Sequence, residues 1–240
     1  LIGKYTELPD AYKSIKESFT HASAMNECKV KVDYISSEYI NNNNVAEKLS
    51  KYHGILVAPG FGDRGIEGKV TAINYVRENK IPFFGICLGM QCAVIEFGRN
   101  VLKFADAHST EFNPDSEYPV IDLMQEQTNI INKGGTMRLG SYPCDISSDS
   151  KAYKIYKKKT IAERHRHRYE FNNKFREDYK KAGFIPVGLN TKSDLVEIME
   201  LHDHPWFIGA QFHPELKSTV ANPHPLFVDF VRAAIEYSKS

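Results

Sequence analysis

Cys87 sits between Gly85 and Gly89, after the apolar run Ile81-Pro82-Phe83-Phe84 and ahead of Met90-Gln91-Cys92. The run is short, rich in Ile and Phe and closed by glycine, the pattern of a strand buried in a parallel sheet. Met90 to Val101 then has helical spacing. A thiol in a G-x-C-x-G turn from strand to helix is a nucleophile elbow. The glycines let strand and helix approach closely, and the helix N-terminus offers free N–H groups and a positive dipole end to an anion. The pentapeptide alone fits a core cysteine equally well, because free Cys is among the most buried residue types.

A thiol nucleophile needs a base within hydrogen-bond reach and a third group to orient that base. Gln211-Phe212-His213-Pro214-Glu215 supplies both types. His213 and Glu215 are two apart, so on an extended segment they share a face, and Pro214 restricts the backbone between them. The carboxylate can hold one imidazole nitrogen while the other faces the thiol. Only the fold can bring His213 to Cys87.

The elements that would position them alternate. Leu1 to Tyr5 reads as a first strand, and Asp10 as the cap of a helix running to about Ala24 with Tyr12, Ile15 and Phe19 on one face. Val30 to Ile35 alternates like a strand. Asn41 to Asn44 reads as a solvated tip, Val45 to Tyr52 as a short helix and Gly54 to Ala58 as a buried strand. This order predicts an α/β fold, a parallel sheet covered on both faces. Ala107 to Phe112 reads as a loop, Tyr118 to Met124 as a strand, Gln125 to Lys133 as a polar segment and Gly134 to Gly140 as a structural loop. Phe207 to Phe212 reads as the last core strand, and Pro225 to Tyr237 as a closing helix.

Gly60, Gly62 and Gly65 match G-x-G-x-x-G after a strand. A dinucleotide site is set aside: the motif belongs in the first strand–helix unit, with an acid about 20 residues on, and that offset here reaches the Cys87 elbow. A Walker loop fails because Val70 follows Lys69. The loop suits a backbone donor beside Cys87 better. Pro59 has no N–H, so Gly60 or Phe61 would supply one and Leu88 the other, forming an oxyanion hole.

Glu163-Arg164-His165-Arg166-His167-Arg168-Tyr169-Glu170 is the densest charged stretch. It reads as a solvated surface segment or as an arginine clamp for a carboxylate. Zinc at His165 and His167 is disfavoured, since no third ligand or Cys pair is nearby. Nucleic acid is disfavoured by the bracketing glutamates. His202 and His204 read as loop residues before a strand and not as ligands.

With 240 residues, 42% of them hydrophobic, the chain has enough apolar surface for one large α/β domain or two small ones. The net charge of +1 gives no reason to expect nucleic acid. No apolar run reaches membrane-spanning length and nothing resembles a signal peptide. Cys28, Cys87, Cys92 and Cys144 lack the spacing of a disulfide framework or a zinc site, which suggests reduced, intracellular thiols. Leu1 opens directly in a structured pattern, as expected of a piece of a longer chain.

Together these stretches resemble the glutaminase domain of CTP synthase, a class I (triad-type) glutamine amidotransferase. The elbow Gly85 to Gln91, with Ala93 to Phe97 and Arg99 to Val101, carries the resemblance. So do Ser109 to Phe112, Gly134 to Gly140, Glu163 to Glu170 and Gln211 to Glu215. The resemblance covers nearly the whole chain and implies one domain, 1–240, with a three-layer flavodoxin-like fold and a mostly parallel central sheet. It implies a Cys87–His213–Glu215 triad, an oxyanion hole from Gly60 and Leu88, and glutamine binding by Gly60, Leu88, Gly89, Met90, Gln91, Glu111, Arg168 and Tyr169. Glu111 suits the substrate ammonium and Arg168 its carboxylate. Phe61, Arg64, Gly65 and Glu67 would form a loop that senses GTP.

The resemblance further implies an amidoligase domain before Leu1 that binds UTP and, with magnesium, ATP, a homotetrameric full-length protein and a cytoplasmic setting. No metal or cofactor is expected for the glutaminase step, and neither nucleic acid nor membrane as partner. Many members read Pro-Gly-Gly-Phe-Gly where this chain has Ala58-Pro59-Gly60-Phe61-Gly62; Gly60 is retained. Rival readings are another Cys-His hydrolase of the same fold, such as a gamma-glutamyl hydrolase, and a non-catalytic regulatory or assembly module.

Overall fold

The computed structural model describes residues 1–8, 10–123 and 137–240. The Gln125–Lys133 segment and residues 134–136 of the glycine-rich stretch lie outside them.

A nine-stranded sheet forms the middle layer, in the order β2-β1-β3-β4-β12-β11-β10-β7-β8. Its strands are β1 (Ile2–Gly3), β2 (Ile35–Ser36), β3 (Ile55–Val57), β4 (Phe83–Ile86), β7 (Arg138–Ile146), β8 (Thr160–His167), β10 (Phe184–Asn190), β11 (Leu195–Leu201) and β12 (Phe207–Ala210). Pairing is parallel through the core, from β2 across β1, β3 and β4 to β12. From β12 outward, through β11, β10, β7 and β8, it is antiparallel. A second sheet joins β5 (His108–Ser109), β6 (Pro119–Leu123) and β9 (Tyr169–Phe171).

Successive strand residues point to opposite faces, and β4 shows the consequence. Phe83 stacks on Phe207 at 4.2 Å on one face, and Phe84 meets Phe227 edge-on at 5.3 Å on the other. The Phe83 face packs under the short α2 (Val45–Leu49), α3 (Ile66–Glu78) and α4 (Leu88–Asn100). The Phe84 face packs under α1 (Lys13–Met25) and helix Pro225–Tyr237. Each buried Phe stabilises the fold by roughly 1.5–3 kcal/mol, so a central strand apolar on both faces is held by both layers. Among the described residues no helix is long and apolar enough to cross a membrane.

Several expectations need correction. Tyr12, and not Asp10, is the N-cap residue of α1, and Asp10 gives only its carbonyl, to Lys13 N–H at 3.3 Å. Tyr12 instead lends its hydroxyl to the Lys4 N–H at 2.9 Å. The 30–35 run is a strand only at Ile35; Val30, Val32 and Tyr34 lean on the core without a ladder partner. His108 and Ser109, read as loop, pair with β6. Arg138 to Gly140 begin a nine-residue strand.

The charged 163–170 stretch is not a solvated segment. Along β8 the side chains of Ile161, Glu163, His165 and His167 are buried, while Thr160, Ala162, Arg164 and Arg166 are exposed. The charges hid a strict two-residue alternation.

Candidate functional site

The carboxyl ends of β3, β4 and β12 lie side by side, where open parallel sheets place their ligand crevices. Gly85 pairs with Gly209 and Ile86 with Ala210, so Cys87 and Gln211 leave the sheet at one level. Cys87 N–H continues the ladder, donating to Ala210 O at 2.7 Å. His213 N–H donates to Arg164 O at 2.8 Å, which ties the imidazole's backbone to β8.

Cys87 has φ 52° and ψ −104°, a conformation that non-glycine residues rarely adopt. The turn is that tight because α4 passes directly over β3 and β4. A Cβ on Gly89 would strike the Val57 carbonyl, and one on Gly85 would lie 2.8 Å from the Gly89 carbonyl carbon. Both flanking positions therefore require glycine.

The cleft above Cys87 has a volume of about 490 Å³ and is lined by Gly60, Phe61, Gln91, Glu111, Arg168 and Tyr169, among others. His213 Nδ1 lies 2.7 Å from Glu215 Oε1, and among the described residues its Nε2 has no hydrogen-bond partner. Burial penalises the charged ring. The charge interaction with Cys87, the hydrogen bond to Glu215 and the Glu215 carboxylate outweigh it, and the His213 pKa is raised to about 10. Cys87, His213 and Glu215 therefore form one interacting group. The ring proton's contribution to stability is fully present below the ordinary 6.5 and is lost as pH rises through about 10. Cys87→Ala should drop the His213 pKa well below that value, because burial then dominates. An NMR titration in which the ring of this variant still titrated near 10 would disprove the coupling.

Gln91 Nε2 donates to Tyr169 O at 2.9 Å and to Gln211 Oε1 at 3.1 Å. Gln211 Nε2 in turn lies 3.7 Å from Cys87 Sγ. Glu111 Oε1 accepts from Gly62 N–H at 3.2 Å; burial raises its pKa, against that bond and the charges of Lys4 and Arg168. Gly60 and Leu88 are neighbours: a Cβ on Gly60 would lie 3.5 Å from Leu88 Cδ2. Leu88 N–H is in the first turn of α4, where no intrahelical acceptor exists.

Gly89 and Met90 pack on the sheet, Gly89 against Val57 and Met90 beside Gly209, and neither lines the cleft. The 61–67 loop lies at the rim. Phe61 is exposed and lies under the Arg166 guanidinium at 5.6 Å. Arg64 pairs with Glu38 at 3.3 Å, Gly65 starts α3 with φ 72°, and Glu67 pairs with Arg99 at 2.8 Å. Lys4, Gln211, Arg166 and His167 also border or support the site, and sequence reasoning gave them no individual role there. Gln211 was within reach of the rule that paired His213 with Glu215, since it stands two residues before His213.

Behind the cleft lies a buried ionic cluster. Arg138 reaches Glu197 at 2.7 Å and Glu170 at 3.5 Å. His165 Nδ1 and His167 Nε2 share a 2.8 Å hydrogen bond, and both rings are kept neutral, pushed by burial down to about 2 and about 3. Their other nitrogens, His165 Nε2 at 3.6 Å from Glu197 and His167 Nδ1 at 3.1 Å from Glu170, make no hydrogen bond among the described residues.

The profile of the class I glutamine amidotransferase family matches residues 7–233. A CTP synthase of Cytophaga hutchinsonii is 63% identical over the whole chain, and one of Flavobacterium johnsoniae is 61% identical. The chain spans 44% of the length of each of these relatives. The solved glutaminase domain of Trypanosoma brucei CTPS, with bound acivicin, superimposes with a TM-score of 0.92 at 37% identity, covering 98% of this chain and 92% of that one.

Proposed function

The chain belongs to the class I glutamine amidotransferase family, in the branch formed by the glutaminase domains of CTP synthase, and from that premise we propose that Cys87, His213 and Glu215 hydrolyse L-glutamine to glutamate and ammonia. The observation that carries this reading is the placement at the carboxyl ends of β4 and β12 of Cys87, which lines an open cleft, and of His213, whose Nδ1 lies 2.7 Å from Glu215.

Cys87 sulfur attacks the side-chain amide carbon, and the carbonyl electrons move to oxygen. The N–H groups of Gly60 and Leu88 stabilise that oxyanion. On collapse the C–N bond breaks and His213 Nε2–H protonates the departing nitrogen, which leaves as ammonia. His213 then takes a proton from water, which attacks the thioester. A second oxyanion forms and collapses, expelling the sulfur and releasing glutamate. The step uses no metal or cofactor. Glu111 receives the substrate ammonium and Arg168 its α-carboxylate, the bidentate role suited to guanidinium. Gln91 and Tyr169 complete the pocket.

In the longer protein, the ammonia serves an amidoligase domain that converts UTP to CTP with ATP and magnesium. GTP acts through the loop of Phe61, Arg64, Gly65 and Glu67, and the assembly is a homotetramer.

The test is ammonia release from glutamine, with and without GTP, alongside covalent capture of Cys87 by a glutamine-like electrophile. No release and no capture would sink the reading. Capture together with cleavage of gamma-glutamyl peptides in place of free glutamine would favour the hydrolase alternative. Arg168→Met should raise KM for glutamine by about tenfold or more, the 1.5–3 kcal/mol of one charged hydrogen-bond partner, with kcat little changed. An unchanged KM would remove Arg168 from carboxylate binding.

A further inference from the structure

The Lys4 ammonium is buried beneath the loop that carries Gly60. Its Nζ donates to Phe61 O at 2.8 Å and also to Gly62 O. Phe61 C=O and Gly62 N–H belong to a single peptide unit. Lys4 holds its oxygen, and Glu111 holds its N–H at 3.2 Å. Three peptide units earlier in the chain, Ala58 O accepts from the buried Lys69 Nζ at 3.4 Å. Gly60 lines the cleft, and the Pro59–Gly60 and Gly60–Phe61 units lie between two peptides whose carbonyls are each fixed by a lysine.

Lys4 is itself firmly placed. It follows β1, its N–H is bonded to the Tyr12 hydroxyl, and its carbonyl accepts from Arg64 at 3.4 Å. Its aliphatic stem passes Gly60, within 3.7 Å of where a Cβ would stand there.

We propose that Lys4 is a positioning residue for glutamine hydrolysis: its ammonium fixes the Phe61–Gly62 peptide and so keeps the Gly60 N–H turned toward the oxyanion. The inference rests on the glutaminase reading above. Its weight follows from Glu111. When Glu111 turns to a substrate ammonium, Gly62 N–H loses its carboxylate, and among the described residues Lys4 is then the one hydrogen-bond partner that holds that peptide. Gly62 at φ 76° adds no side-chain barrier of its own.

The experiment compares native protein, Lys4→Met and Lys4→Arg, each in the full-length protein. It reads kcat and KM for glutamine together with the rate at which iodoacetamide alkylates Cys87. Alkylation at sulfur forms no oxyanion, so it reports a damaged elbow but not a misdirected Gly60. Lys4→Met is expected to lose kcat on the order of 10²-fold, as for one oxyanion donor removed, with KM and alkylation unchanged. Lys4→Arg should recover most of the loss. Should Lys4→Met not fold, Lys4→Gln is read the same way. Native kcat in the Met or Gln variant, or a parallel fall in kcat and alkylation, overturns the role of Lys4. A native protein that does not hydrolyse glutamine instead overturns the glutaminase reading, and this inference with it.

Discussion

Cys87→Gly should be more stable than Cys87→Ala, and both should be inert toward glutamine. In ordinary backbone the order is reversed, because glycine loses more conformational freedom on folding, by roughly 0.5–1 kcal/mol. At φ 52° and ψ −104° a side chain is strained, and such strain is of order 1–3 kcal/mol. Both variants lose the thiol and its charge on His213, so the comparison isolates the elbow. The glycine variant should gain about 1 kcal/mol over the alanine variant, read as a shift of the urea midpoint with unchanged slope. Turnover should fall on the order of 10⁶-fold in each, as when a nucleophile is removed. An alanine variant at least as stable as the glycine one would mean that the turn stores no strain. Residual turnover within tenfold of native would remove Cys87 from the chemistry.

The elbow was legible because three independent signals agree on it: an apolar strand, a helix and paired glycines that the packing of Gly85 and Gly89 makes obligatory. The parallel half of the sheet was legible for the same reason, since its strands are apolar on both faces. The antiparallel half was not. Arg138 to Gly140 carries glycine and arginine where a strand signal is sought, and its partner β8 buries Glu163, His165 and His167. Charged residues facing inward defeat a reading that equates charge with solvent; only the two-residue period betrays the strand. Lys4 was invisible for another reason. A lysine one residue past a two-residue strand gives no sign that it bends under a loop more than 50 residues away.

That inward-facing charge sets up the second large effect. Arg138→Met should destabilise the fold by roughly 3–5 kcal/mol near pH 8, the usual penalty for breaking a buried ion pair. Arg138 lies between Glu197 and Glu170 and over the Tyr142 ring at 4.3 Å. Burial raises the Glu197 pKa to about 7 even with Arg138 opposing it, and drives Glu170 well above its ordinary 4.5. A carboxyl with a raised folded pKa holds a proton that the unfolded chain has released, so its contribution to stability falls as pH rises from about 4.5 through about 7. Without the guanidinium both pKa values rise further and the window extends upward. The variant should therefore lose less stability at pH 6 than at pH 8.5. Adding Glu197→Leu to Arg138→Met should recover part of the loss, since it removes one of the stranded carboxylates. Urea unfolding of the three proteins at both pH values decides it: a loss under 1 kcal/mol, or one independent of pH, would show that Arg138 does not neutralise these acids. The site should feel the change through backbone. Gln211 N–H donates to Glu197 O at 2.9 Å, and Gln211 is the residue whose amide faces the Cys87 sulfur.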